Sequence, residues 1–407
     1  MSLDLRGLDP RRVTRADVYV GRRWAATLDR LPSGVEFRYT EDHLIGAGTP
    51  VASTLPLVRD PVVTMAGAVP PFFAGLLPEG RRLNALRQAV KTSADDDLSL
   101  LIAVGSDTVG DAQIVPHADS PTMPSPLVTV TKAWDEIEFS RVLDAAGIVD
   151  PVALAGIQHK ASAGMISLPL ARAGERFILK VDPPEYPHLV LNEAYMLRQA
   201  HAAGLPVVDA EVVHDATGRP GLLIRRFDRL PRPDGTTHPL HVEDGAQVLG
   251  RYPADKYAVS FEDVASALTN LCAARPVAAR DLYRQACFAW LTGNGDLHAK
   301  NLSVLVDPSG EWRVAPAYDI PCTLPYGDHI LALSVDGRVH GLSRRRLLAL
   351  GADLGLREAA ATTILDRLLV ATSTIADDWA AGSLPFSDTV CRDVARVMRQ
   401  RHRTASG

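Results

Sequence analysis

The chain has 407 residues, enough for two or three domains and a full hydrophobic core. Hydrophobic residues make up 46% and charged residues 22%, which excludes disorder as a description of the whole chain. The net charge of −5 argues against a dedicated nucleic-acid binder, and no apolar run approaches the roughly 18 residues that a membrane span needs.

Residues 17–20, 24–28 and 35–39 alternate in the manner of strands around Gly21 and Pro32-Ser33-Gly34, which predicts a small antiparallel meander. Apolar residues at three- and four-residue spacing predict helices over 81–90 and 97–104. A Pro/Ser-rich stretch, 118–126, reads as a linker and marks the first domain boundary. Beyond it, strands are expected at 165–168 and 176–180 around Ala173-Gly174, then a helix over 191–203 ended by Gly204. Two further strand-like runs, 207–214 and 221–227, complete a small α+β lobe. From 240 onward helices dominate (261–272, 280–292 and, with interruptions, 344–397), apart from a hairpin between 302 and 316.

That hairpin carries the chemistry. Asp296 and Asn301 lie five residues apart after an apolar helix, a strand follows, the chain turns at Asp307-Pro308-Ser309-Gly310, and the return strand ends at Tyr318-Asp319. The hairpin brings Asn301 and Asp319 to one end, beside the loop holding Asp296. Phosphoryl transfer needs this set: one carboxylate to take the proton of an attacking hydroxyl, and a carboxylate with an amide oxygen to hold magnesium against a triphosphate. Asp296 is then the base, with Asn301 and Asp319 as metal ligands. The plainer alternative makes Asp296 and Asn301 turn residues and Asp319 a helix cap. The D-x4-N spacing followed by a hairpin and a second Asp is much harder to reach by chance.

Lysine use points the same way. The chain has six lysines against 37 arginines, so a lysine that persists marks a place for a compact ammonium. Lys180 ends a strand, and Glu193 follows 13 residues later in a helix, the arrangement by which kinases place an ammonium on the α/β-phosphates. The alternative is a solvated strand-end lysine and a solvated carboxylate. Upstream, Gly156 to Lys160 forms a candidate phosphate-covering loop, although it is neither GxGxxG nor a Walker A motif.

The chain resembles the HipA-type serine/threonine kinases of bacterial toxin–antitoxin modules. The resemblance rests on Pro71 to Gly80, Gly105 to Ala112, the G-x-Q-x-K loop Gly156-Ile157-Gln158-His159-Lys160, Phe177 to Lys180, Asn192-Glu193, Arg226 to Arg229, His241 to Asp244, Lys256-Tyr257, Asp296 to Asn301 and Ala317 to Asp319. It implies an α+β, bilobal protein-kinase-like fold with a small mixed α/β N-lobe, a mainly helical C-lobe and an added N-terminal α+β subdomain. The corresponding division is 1–118 for that subdomain, 119–134 for the linker, 135–228 for the N-lobe and 229–407 for the C-lobe. It further implies Mg-ATP contacts from Ala155, Gly156, Ile157, Gln158, His159, Lys160, Lys180, Arg225, Arg226, Phe227, His298, Lys300, Asn301, Tyr318 and Asp319, with Asp296 catalytic. A protein hydroxyl, with aminoacyl-tRNA synthetases among family targets, would accept the phosphate. A small helix-turn-helix antitoxin would be the partner, and DNA would be met only through it. One departure is that the family's inhibitory serine before the G-x-Q-x-K loop is missing from Pro151-Val152-Ala153-Leu154-Ala155.

The Gly295 to Leu302 segment is also close to that of small-molecule phosphotransferases, so a metabolite or antibiotic kinase is the chief enzymatic alternative. A non-catalytic ATP-binding subunit of a repressor complex is a third reading. No H-E-x-x-H or G-x-S-x-G occurs, and Cys272, Cys287, Cys322 and Cys391 have no CxxC spacing. A zinc site and a disulfide framework are therefore not expected. With no secretory build at the N-terminus, the cytoplasm is the expected compartment, without a membrane. The Arg344-Arg345-Arg346 run reads as a solvated helix start, and Arg399 to Arg403 as a frayed, solvated tail.

Overall fold

A computed structural model of the chain describes residues 8–46, 48–93, 95–121, 128–145 and 165–407. The meander is present and larger than expected. Strands β1 (Arg15–Val20), β2 (Arg23–Leu31), β3 (Gly34–Tyr39), β4 (Val62–Met65) and β5 (Ala112–Pro116) form an antiparallel sheet in the order β4-β3-β2-β1-β5. Gly21 and Arg22, both with positive φ (54° and 73°), make the two-residue turn that matches the twist of β1 and β2. At the next turn, a Cβ on Gly34 would sit 1.8 Å from the Thr64 carbonyl oxygen, so only glycine lets β4 pair there. Helices Pro71–Gly75, Gly80–Val90 and Asp97–Val104 follow, and Phe72, Phe73, Leu98 and Leu101 close a core over the sheet.

The second sheet is built from β6 (Ile166–Arg172), β7 (Glu175–Val181), β8 (Ala210–His214) and β9 (Pro220–Arg225), all antiparallel in the order β6-β7-β9-β8. Ala173 and Gly174, at φ 51° and 82°, turn β6 into β7. Val128 and Val130 bond to Ala171 at the sheet's edge, so the segment just past the Pro/Ser-rich stretch is drawn into this lobe. Helix Leu189–Ala202 starts at His188, where both oxygens of Asp182 accept backbone N–H groups, from His188 (2.9 Å) and Val190 (2.6 Å). One face of that helix joins a core shared with the helical C-terminal half.

In that half, β10 (Arg229–Pro231) and β11 (Thr237–Pro239) make a short ribbon, and β12 (Val242–Asp244), β13 (Ser303–Val306) and β14 (Trp312–Val314) form a three-stranded sheet. The hairpin expected from sequence is β13–β14, and β12 is its unforeseen third strand. Around it lie helices Phe261–Leu271, Arg275–Thr292, Arg344–Asp353, Glu358–Ala371, Ile375–Ala380 and Asp388–Ser406. Among the described residues, Glu358–Ala380 has the length and apolarity of a membrane span, with mean hydropathy 1.2. In the fold it is two helices that bury Ala361, Leu365, Leu368, Ile375 and Trp379 against the protein, which is the pattern of amphipathic helices packed by one face.

The C-terminal arginines depart from expectation. Helix Asp388–Ser406 runs to the chain end without fraying, and Arg401 is 6% exposed. Its guanidinium donates to the carbonyls of Trp290 (2.9 Å) and His329 (2.6 Å) and lies 4.2 Å from the Trp290 ring centroid. Its arginine neighbours face outward, but helical spacing turns Arg401 inward, where it satisfies one carbonyl near the end of helix Arg275–Thr292 and one in the loop that carries His329. Arg401→Met strands both carbonyls, and a loss of about 2–4 kcal/mol is expected in denaturant unfolding. An unchanged midpoint would show the bonds to be dispensable.

The N-terminal unit is held to the rest by charge. Asp107 and Asp228 pair with Arg226 and Arg229 at 2.8–3.1 Å, and both guanidinia donate to backbone carbonyls of the 108–110 turn. His241 bridges Asp111 (2.8 Å) and Glu243 (3.2 Å), and Glu243 in turn accepts from the Ser53 N–H and hydroxyl, each at 2.7 Å. Burial opposes the His241 charge, yet the two carboxylates raise its pKa to about 9. Its contribution is complete below the unfolded value near 6.5 and fades as pH climbs through 9. The linked loss is about 3 kcal/mol between pH 6.5 and 10. His241→Gln should flatten that part of the Tm–pH curve, and a curve of unchanged shape would refute the linkage.

Candidate active site

Helix Arg275–Thr292 ends where Gly293 takes φ 82°, and both Gly293 and Asn294 N–H groups return to the Ala289 carbonyl. This cap turns the chain sharply into the loop that carries Asp296. The loop is fixed by its own polar groups. Asn294 Oδ1 accepts from the Asp296 N–H, the Thr323 hydroxyl oxygen accepts from the Gly295 N–H, and Asn301 Nδ2 donates to the Asp296 carbonyl, each at 2.9 Å. Asp296 is fully buried and accepts from the Tyr257 hydroxyl at 3.2 Å. Burial and the Asp296 charge push the Tyr257 pKa up, so Tyr257 stays a donor.

The hairpin then does what its sequence implied. Tyr318, four residues past the end of β14, donates to the Lys300 carbonyl (2.7 Å) and pairs with the Ser303 hydroxyl (2.6 Å). Asp319 follows at φ 56°, a left-handed conformation uncommon outside glycine. One Asp319 oxygen takes the Lys180 ammonium at 2.8 Å, while Glu193 receives the same ammonium through both oxygens at 2.8 and 2.9 Å. Lys180 comes from β7, Glu193 from helix Leu189–Ala202, and Asp319 from the far side of the hairpin. Two further ties hold this alignment: Ala317 pairs with 206–208 in a short parallel bridge, and the Asn192 side chain bonds both backbone groups of Cys322.

Burial raises Glu193 to about 7 against the pull of Lys180. Burial also opposes the Asp319 charge, but Lys180 leaves its carboxyl below the ordinary range. The Lys180 pKa is raised because its two carboxylates outweigh its desolvation. His298 lies buried edge-on to Tyr257, and burial with the nearby Lys256 charge lowers its pKa to about 3. A neutral ring is therefore what His298 presents at pH 7.

Lys180, His298, Tyr318 and Asp319 of this set line one cavity of about 400 Å³, the size of a cofactor or nucleotide site. It gathers Lys180, Arg225, Arg226, Phe227, His298, Lys300, Asn301, Tyr318 and Asp319 of the sequence set. Asp296 lies behind it in the adjoining loop. Phe227 and Tyr318 stack at 5.7 Å, giving the cavity an aromatic wall. Their chemistry differs in detail from the expectation: Arg226 spends its guanidinium on Asp107, Asp228 and Thr108, and Lys300 spends its ammonium on the Gly75 carbonyl and Asp244, both at 2.9 Å. Ala155, Gly156, Ile157, Gln158, His159 and Lys160 lie outside the described residues.

The Asn301 amide nitrogen is committed to the Asp296 carbonyl, so its oxygen is the atom that could serve as a ligand in the cavity that Asp319 also lines. A neutral oxygen with a carboxylate suits Mg²⁺, and substrate phosphate and water would complete its coordination. Sequence reasoning did not place Tyr257, Asn294, Glu79 or Lys256 in the site. For Lys256 a signal existed, since it is another of the scarce lysines.

A family model described as the HipA-like C-terminal domain matches residues 152–376, and one described as the HipA N-terminal domain matches residues 16–115. The chain belongs to the HipA family. It is 34% identical over 312 residues to the Sinorhizobium fredii protein Y4mE, covering 72% of this chain and 73% of that protein. It is 31% identical over 327 residues to the serine/threonine-protein kinase toxin HipA of Shewanella oneidensis, covering 73% of this chain and 72% of that protein. The solved Shewanella oneidensis MR-1 HipA, in a complex with HipB and operator DNA, superposes with a TM-score of 0.73 at 23% identity over 96% of both chains. The bilobal kinase-like HipA fold with its added N-terminal subdomain is thus the fold of this chain.

Proposed function

We propose that this HipA-family chain is a serine/threonine protein kinase using Mg-ATP. The observation that carries the reading is the Lys180–Glu193–Asp319 triad at 2.8–2.9 Å, set in the same cavity as Asn301 and next to the Asp296 loop. Lys180 is then the ammonium that meets the nucleotide's α/β-phosphates, fixed by Glu193. Bound Mg²⁺, held by Asn301 and Asp319, would neutralise charge on the β- and γ-phosphates. Asp296 orients the acceptor hydroxyl and takes its proton as the hydroxyl oxygen bonds to the γ-phosphorus. The bond from that phosphorus to the bridging oxygen breaks, and ADP leaves with the electron pair.

The site residues from Lys180 to Asp319 belong to this reading, as do the G-x-Q-x-K residues Ala155 to Lys160 over the phosphates. So does the division at 1–118, 119–134, 135–228 and 229–407. A protein serine or threonine is the acceptor, the cytoplasm the compartment, and a small helix-turn-helix antitoxin the partner, since the Shewanella relative was solved with HipB and operator DNA. The experiment is phosphate transfer from labelled ATP-Mg in a cell lysate. A labelled protein band supports the protein kinase and gives the target's size. Label confined to small molecules makes it a metabolite kinase, and ATP binding with no transfer makes it a binding subunit.

A further inference from the structure

Lys256 and Lys300 bring two more ammonium groups to the cavity, and one carboxylate meets both. Glu79, at the start of helix Gly80–Val90 in the N-terminal unit, lies 2.5 Å from Lys256 Nζ and 3.6 Å from Lys300 Nζ. Their situations differ. Lys300 is also held by the Gly75 carbonyl and Asp244, so its donors are committed to joining the N-terminal unit to the C-lobe. For Lys256, Glu79 is the ion-pair partner among the described residues.

Lys256 is also clamped onto the catalytic loop. Its carbonyl accepts from the Ala299 N–H at 3.2 Å, and its neighbour Tyr257 donates to Asp296. Its side chain is 11% exposed and lines the cavity with Asn301 and Asp319. Its ammonium thus shares the cavity with Asn301 and Asp319 while its backbone is tied to the base's loop. Phosphoryl transfer spreads charge over three equatorial oxygens, and a preplaced cation stabilises that charge most in the transition state.

We propose that Glu79 is a positioning residue for phosphoryl transfer, contributed by the N-terminal unit to hold the Lys256 ammonium against the transferred phosphoryl group. This rests on the kinase reading above. Lys256 forms no covalent bond. The catalytic centre is then incomplete in the two kinase lobes alone, because the carboxylate that aims one of its cations comes from the N-terminal unit.

The test compares full-length wild type with Glu79→Gln, Glu79→Asp, Lys256→Met and the Glu79→Gln/Lys256→Met pair. Single-turnover transfer from labelled ATP-Mg to the lysate acceptor is measured beside ATP affinity and Tm. Glu79→Gln should slow transfer at saturating ATP by about 10-fold with ATP affinity kept, and Glu79→Asp should recover part of it. Lys256→Met should cost about 100-fold, and the double variant should be no slower than Lys256→Met, since Glu79 acts through Lys256. Losses that multiply, a Glu79→Gln rate equal to wild type, or a deficit explained by weaker ATP binding would each overturn the inference and leave the kinase reading standing. If Glu79→Gln does not fold, Lys256→Met decides alone: a wild-type rate overturns the inference. A wild type that transfers nothing overturns the kinase reading, and this inference with it.

Discussion

Asp296→Asn is expected to slow phosphate transfer by roughly 10²–10⁴-fold while ATP still binds. An amide has the carboxylate's shape but cannot take the hydroxyl proton, and it no longer attracts the acceptor hydroxyl by charge. The backbone bonds that set the loop do not use the Asp296 carboxylate: Asn294 accepts from its N–H and Asn301 donates to its carbonyl. The loop should therefore hold its shape, and Tyr257 can donate to the amide oxygen as it does to the carboxylate. Single-turnover transfer and calorimetric ATP titration separate the two effects. A variant within about threefold of wild type would remove Asp296 from the base role, because general-base catalysis is worth at least about 10²-fold.

Lys180→Met should damage both activity and stability. The ammonium is 11% exposed and faces Glu193, which is fully buried, and Asp319. Without it two carboxylates confront each other with no counter-charge, and breaking such a buried pair costs about 3–5 kcal/mol. Transfer should fall by at least about 10²-fold, since the nucleotide loses its phosphate ammonium. The pH dependence gives the cause. Burial already holds Glu193 near 7 in the wild type, above its ordinary 4.5, so stability drawn from its protonated form is full below 4.5 and fades as pH rises through 7. Removing Lys180 strengthens that fade, so the variant should lose stability more steeply than wild type between pH 5 and 8 in denaturant titrations. Lys180→Met/Glu193→Gln should regain stability but not transfer. A parallel pH profile for the two proteins would mean that the triad carries no net coupling.

The two outcomes probe different parts of one construction. Asp296 sits on a loop fixed by local bonds after a helix cap. The triad joins a strand, a helix and a hairpin end that meet only in the folded molecule. That difference also explains what could be read in advance. The D-x4-N loop and its hairpin were legible because turn residues, strand alternation and a short sequence span determine their geometry together. The Lys180–Glu193 pair was legible as a strand followed by a helix, with a scarce lysine at the strand's end. The sheet partners β4, β5 and β12 were not, because each is short and its pairing comes from residues far away in the chain.

Arg401 shows the limit from the other side. Local composition describes 399–403 as a basic tail, and nothing in the five residues says that one of them will meet the carbonyls of Trp290 and His329. Glu79 shows it within the active site. In sequence it is one acidic residue in a stretch that resembles the N-terminal family signature, more than 170 residues before the lysine it holds.

By itself, then, the sequence determined the order of elements, the α+β character, the Asp296–Asn301–Asp319 spacing and the resemblance to HipA kinases, because each depends on neighbours within a few tens of residues. Only the tertiary structure decided which charges face one another: Lys180 with Asp319, Lys256 and Lys300 with Glu79, His241 with Asp111, Arg401 with two carbonyls. Burial removes water as the alternative partner, so each buried charge must find its complement in whatever part of the chain the fold delivers.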